Sequence, residues 1–168
     1  MAEARRGGLI GEAMKQAKQA RKTTLGYARD LTAPEMAWRP ASEANPIGWL
    51  LWHVGEVEES VLWTVEGAPP RWHFGRSALA ARGQDDLPAP ADLFGYLEAV
   101  RGRYLDWLQA LPETALDQVL GEGDWRGPAQ SLMFVSPKHE NYHCGQIAYL
   151  RRLMGRPVPD ANEGNPYR

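Results

Sequence analysis

Cysteine is almost absent: Cys144 is the only one in 168 residues, so no intramolecular disulfide can form and a disulfide-stapled secreted scaffold is excluded. A reducing cytoplasm is the compartment this composition fits. Also absent is any uninterrupted apolar run of the roughly 20 residues a membrane-spanning helix needs. The richest segment, residues 46–63, carries His53 and three glutamates. The first twenty residues hold early arginines but no apolar stretch of signal-peptide length, so no export signal and a soluble protein are expected. A surplus of one charge is missing too. Nineteen basic against 21 acidic side chains leave a net charge of −2, with no bulk electrostatic drive toward nucleic acid or an anionic membrane. No alternating valine and isoleucine run and no Asn-Gly turn announces a β-sheet, and there is no internal repeat. Tryptophan, by contrast, is plentiful. Of seven, Trp38, Trp49, Trp52 and Trp63 fall before or within one apolar segment, which is expected to be core, pocket wall or interface.

The remaining pattern is helical and fits one domain with a core over about residues 9–157 and a loose tail at 158–168. From Leu9 to Leu31, Ile10, Ala13, Met14, Ala17, Thr24, Tyr27, Ala28 and Leu31 recur at steps of three and four, the spacing of one helix face. Lys15, Lys18, Arg21, Lys22 and Arg29 fall mostly off that stripe and read as a solvated face. Asn45 followed by Pro46 is a helix start signal, and a second helix runs from Pro46 to about Glu66, where Gly67 and Pro69-Pro70 stop it. Residues 67–90 show no sustained period and read as a long surface loop with room for a short helical turn. A third helix spans about Ala91–Leu111. A fourth runs from about Ala129 to Met154, with Pro137 expected to kink it or mark a restart capped by Ser136. The expected fold class is all-α, a four-helix bundle with a long loop between the second and third helices.

Three of the four histidines point into that bundle. His139 and His143 are four residues apart, hence on one face of the fourth helix, a face that continues through Gln146, Ile147 and Leu150. His53 lies on the apolar side of the second helix, between Leu50 and Val57. A buried imidazole without partners costs roughly 1–3 kcal/mol, so three facing one interior need a common explanation. A divalent metal supplies it, because two ligands one turn apart and a third from a facing helix leave a coordination position open. His73 has no spacing partner and is left outside the set. His139-Glu140-Asn141-Tyr142-His143 also spells H-E-x-x-H, the zinc metalloprotease helix in which the glutamate is the general base. Gly155, Pro157 and Pro159 break the helix that would carry a third acidic ligand such as Glu163, and no strand is available to line a peptide. Metal-dependent hydrolysis is therefore the lesser alternative.

The run from Asn45 to His53 (NPIGWLLWH) together with His139 to Leu153 (HENYHCGQIAYLRRL) resembles the DinB-like superfamily, also called DinB/YfiT-like metalloenzymes. Trp38-Arg39-Pro40 and Gly155-Arg156-Pro157 match as well, so the resemblance covers about Leu9 to Pro157. It implies a four-helix bundle, often a homodimer, with one divalent ion, zinc or nickel first, held by His53, His139 and His143. Relatives of that kind include mycothiol-dependent maleylpyruvate isomerases and bacillithiol S-transferases, and other members are induced by DNA damage. The implied function is activation of a low-molecular-weight thiol, such as bacillithiol or mycothiol, for S-transfer to an electrophile or for isomerisation. A non-catalytic metal-binding stress-response bundle is the alternative. Trp49, Trp52 and Tyr142 are candidate pocket walls, and Arg101 and Tyr104 candidate contacts to an acidic thiol or substrate, with Arg101 otherwise expected to snorkel. Glu56 and Glu140 are the catalytic candidates, although Glu140 lies about 100° around the helix from the ligand pair. Cys144 is expected to be a packing residue and Gly145 to permit close helix approach.

Overall fold

A computed structural model gives the fold and describes residues 2–81, 86–122 and 126–160, without the side chains of residues 2–7. Four long helices form the bundle: α1 (Ala2–Ala28), α3 (Ile47–Glu66), α4 (Pro90–Ala110) and α6 (Val135–Leu153). They are the four expected helices, with boundaries shifted. The first begins earlier than Leu9, and Pro46 takes the N-cap position one residue later than the Asn45 cap expected. Gly67 closes α3 in the left-handed region (φ 62°), a conformation that favours glycine.

The fourth helix is split in two. A short α5 (Ala129–Leu132) ends at Met133, and α6 restarts at Val135, so that Pro137 sits in its first turn, where a missing N–H costs no intrahelical bond. Ser136 does not cap this restart, because its hydroxyl is turned inward and donates to Glu58 Oε1 (3.2 Å). Small elements that were not anticipated include a 3₁₀ turn at Glu113–Ala115. A one-turn helix α2 (Ala33–Ala37) is nucleated by a capping box between Thr32 and Glu35, and a minimal antiparallel ladder pairs β1 (Val119–Leu120) with β2 (Gly127–Pro128). The loop after α3 contains a 3₁₀ turn at Ala78–Ala80, as the sequence allowed. Residues 161–168, most of the expected tail, lie outside the described residues.

Around the bundle the order is α1, α4, α3, α6, each long helix packing on the next and α6 closing back on α1. The upper half of the core joins Trp52, Leu62, Tyr96, Tyr104 and Leu108, and the other half Leu25, Ile47, Leu51, Leu97 and Ile147. The close approach falls at Gly55, not Gly145. A Cβ at Gly55 would run into the Tyr96 ring, whereas one at Gly145 would meet nothing within 4 Å.

The centre of the bundle is charged. Arg21 (α1), Glu58 (α3), Arg101 (α4) and Glu140 (α6) alternate in a closed ring, one residue from each long helix. Arg21 reaches Glu58 Oε2 and Glu140 Oε1, each at 2.8 Å, Arg101 Nε lies 3.0 Å from Glu58 Oε1, and Arg101 Nη2 pairs with Glu140 Oε2. Burial works against the Arg21 charge, but the Glu140 and Glu58 carboxylates outweigh it and hold the guanidinium charged. Two expectations are corrected here. Arg21 belongs to the core register Ala17-Arg21-Thr24-Ala28 and not to a solvated face, and Arg101, 5% exposed, does not snorkel.

Candidate metal centre

His53 reaches the site from the second turn of α3, and His139 and His143 from adjacent turns of α6, the helix packed beside it. One ligand atom from each of the three lies within 4.8 Å of the others. The Nε2 atoms of His139 and His143 face each other at 3.0 Å, and the His53 ring stands nearly perpendicular to both, its centroid 4.9 and 5.2 Å from theirs. Trp49 stacks on His53 (4.8 Å, 24°), and Tyr142, 66% exposed, sets its ring edge against His143 (5.1 Å).

Burial and the neighbouring imidazoles push His53 and His139 down to about 4, and burial also lowers His143. All three rings are therefore neutral near pH 7 and offer bare nitrogens, the form that binds metal. The Nδ1 atoms of His53 and His139 are buried without a hydrogen-bond partner, while His143 Nδ1 meets Gln146 Oε1 at 2.6 Å. In a tetrahedral site with metal–nitrogen bonds of about 2.0–2.1 Å, two ligand nitrogens sit about 3.3 Å apart. The facing Nε2 pair is close to that separation, two bare nitrogens so placed repel each other without a proton or cation between them, and the donor set is uniform. These residues fit a divalent metal ion and could hold one.

The other candidates are placed elsewhere. Both Glu140 oxygens are taken up by Arg21 and Arg101, and the residue is wholly buried, so it is not available to water at the histidines. Arg101 is bound in the same ring, and the Tyr104 hydroxyl donates to the Met133 carbonyl (2.7 Å) inside the core. Trp52 is buried against Phe74 and forms no open wall. Glu56 is occupied with the loop after α3: it accepts from the Ala78 N–H (2.6 Å) and the Ser77 hydroxyl (3.2 Å), and Trp49 Nε1 donates to the Ala78 carbonyl (2.8 Å). The same Trp49 thus carries His53 on one side and the loop on the other. His73 stacks on Tyr96 away from the cluster, and Cys144 is buried against the Thr24 hydroxyl (2.9 Å), its thiol pushed up to about 11 by burial, as a packing cysteine should be.

The DinB superfamily model matches residues 16–147, a span that includes all three histidines, the whole of α3 and α4, and parts of α1 and α6. The chain belongs to the DinB superfamily. The DinB fold recurs in solved structures: a conserved protein from Enterococcus faecalis superimposes with a TM-score of 0.72 at 18% identity, over 87% of this chain and 97% of that one. A DinB-like protein from Bacillus cereus gives 0.64 at 17% identity, over 91% and 95%. No curated protein matches the sequence. No helix among the described residues is long and apolar enough to cross a membrane.

Sequence reasoning missed Glu58 and the role of Arg21. Both occupy core positions of otherwise apolar helix faces, and a charge at such a position was the available signal. The clasp on Ala78 had no signal, since it joins a loop to a helix more than twenty residues back.

Proposed function

We propose that this DinB-family chain binds one divalent cation, zinc or nickel, through His53, His139 and His143, and that it uses the site to activate a low-molecular-weight thiol for S-transfer or isomerisation. The observation that carries the metal reading is the convergence of three neutral imidazoles from two adjacent helices, with Nε2 atoms 3.0 Å apart. When bound, a cation there stabilises a thiolate over its thiol and so supplies a nucleophile at neutral pH.

The chain's own residues support that chemistry in three ways. No carboxylate joins the cluster among the described residues, so the ligand set adds no negative charge and the site favours an anionic partner such as a thiolate. Trp49 and Tyr142 flank the histidines with aromatic surface, a suitable wall for the apolar part of a thiol or of the electrophile it attacks. The half-buried rings of His53 and His139 leave the cluster open to a small molecule. A homodimer, as the resemblance implies, and a cytoplasmic setting, as the single cysteine suggests, are part of this reading, and the exposed Tyr149 and Leu153 on α6 are apolar surface that a second copy could cover. The hydrolase alternative loses its general base, because Glu140 serves the buried ion ring.

Elemental analysis of untagged protein tests the metal reading. About one metal per chain is expected, and none in His53→Ala or His143→Ala. A chain that stays metal-free after reconstitution with zinc, nickel and manganese overturns it. Given metal, turnover across thiols and electrophiles separates the enzyme from a non-catalytic metal-binding bundle.

A further inference from the structure

The three imidazoles are held by three different means. His53 is fixed by stacking on Trp49, and His139 meets the other two histidines through ring-edge contacts and through its Nε2, 3.0 Å from His143 Nε2. His143 alone has a hydrogen bond to a residue outside the cluster, Nδ1 to Gln146 Oε1 at 2.6 Å. The pair is three residues apart on α6, so both side chains project from one face, and the helix itself sets the reach. Gln146 also lines a cavity of about 260 Å³ with Pro40, Asn45, Leu50 and Leu150.

An amide oxygen can only accept a hydrogen bond, and a neutral imidazole carries one proton. If the oxygen faces Nδ1, the proton is on Nδ1 and Nε2 is bare, aimed at His139. If the amide were reversed, its NH₂ would donate to Nδ1, Nε2 would carry the proton, and the inward nitrogen could not bind a cation. The orientation of one amide therefore decides whether His143 is a ligand in waiting.

We infer that Gln146 is a positioning residue for the cluster: it accepts from His143 Nδ1–H, fixes the tautomer with Nε2 bare and inward, and so sets the affinity of the site for a divalent cation. This rests on the metal reading above. A neutral acceptor does this without adding charge, so the cluster keeps the uniform neutral character on which its preference for an anionic partner depends. The general cost of removing such an outer partner is about 10–100-fold in metal affinity.

Two measurements on the full chain test it, one of which needs no metal. Imidazole ¹⁵N correlation spectra of the metal-free protein near neutral pH report the tautomer of His143 directly. The Nδ1–H form is expected in the wild type and in Gln146→Glu, which keeps an acceptor at the same reach. It should give way to a mixture in Gln146→Met, which keeps the volume and removes the acceptor. Zinc competition against a chromogenic chelator should then show Gln146→Met weaker by about 10–100-fold and Gln146→Glu at least as tight as wild type. Unchanged thermal midpoints of the metal-free variants separate this from a packing effect. A wild-type spectrum with the proton on Nε2, or a Gln146→Met chain that holds zinc as tightly as wild type, overturns the inference. A wild type that takes up no zinc, nickel or manganese overturns the metal reading and this role for Gln146 together. The spectrum then tells a fixed imidazole from a ligand.

Discussion

Glu56 shows how a single side chain near the site is diverted to a structural task. It stands one turn after His53, where a ligand or base would be welcome, yet its carboxylate holds the Ser77-Ala78 turn, and burial pushes it up to about 7. The folded pKa is raised above the ordinary value of 4.5, so the folded state binds more protons than the unfolded chain between those limits. The stabilisation this gives is fully present below about pH 4.5 and is lost as pH rises through about 7. Urea unfolding of wild type and Glu56→Gln across that window should show the difference in stability between them changing by this one group, with Glu56→Gln gaining relative to wild type as pH rises. A constant difference would show that Glu56 titrates normally. The same residue scale explains the aromatic set: Trp49, one turn before His53, was legible as a wall because helical spacing put it there. Trp52, three residues after Trp49, turns into the core instead, and spacing from the histidine alone did not tell the two apart.

At the scale of the elements, the ion ring ties the register of α1, α3, α4 and α6 at one level. Four charges in a dry interior pay a large desolvation cost, offset only when every partner is present. Removing one carboxylate leaves an arginine buried and uncompensated, so Glu58→Ala should lose about 3–5 kcal/mol by denaturant unfolding. Glu140→Gln, which keeps the shape and some hydrogen bonding, should lose less and should retain metal. Loss of metal in Glu140→Gln with stability unchanged would contradict this account and return Glu140 to the site. The helices themselves were readable because apolar periodicity and Gly or Pro stops are local properties. The break at Met133–Phe134 was placed a few residues late, at Pro137, since proline is tolerated in a first turn and does not have to end the helix before it.

For the whole molecule, the metal reading has a thermodynamic consequence that does not depend on catalysis. Two ligands come from α6 and one from α3, so an ion bound only by the folded chain stabilises the contact between those helices and the bundle with it. At a free metal concentration about 100 times Kd, the gain is about 2.7 kcal/mol. Zinc or nickel added to metal-free protein should raise the thermal midpoint by several degrees, a strong chelator should reverse it, and His53→Ala should show neither shift. An equal rise in His53→Ala would place the stabilising ion elsewhere.

The class of fold, the four long helices and the grouping of His53, His139 and His143 were legible in the chain alone. Helical periodicity, capping residues and an i, i+4 histidine pair are all expressed within a few residues of chain. The sequence also marked Cys144 as packing, from its place about 100° from a ligand. The order α1, α4, α3, α6, the pairing of Arg21 and Arg101 with Glu58 and Glu140, and the clasp of Glu56 and Trp49 on the loop at Ala78 emerge from the packing of the helices. The physical reason is the same in each case. A helix face is a one-dimensional pattern, but whether a charge on it meets solvent or an opposite charge depends on which other face is laid against it.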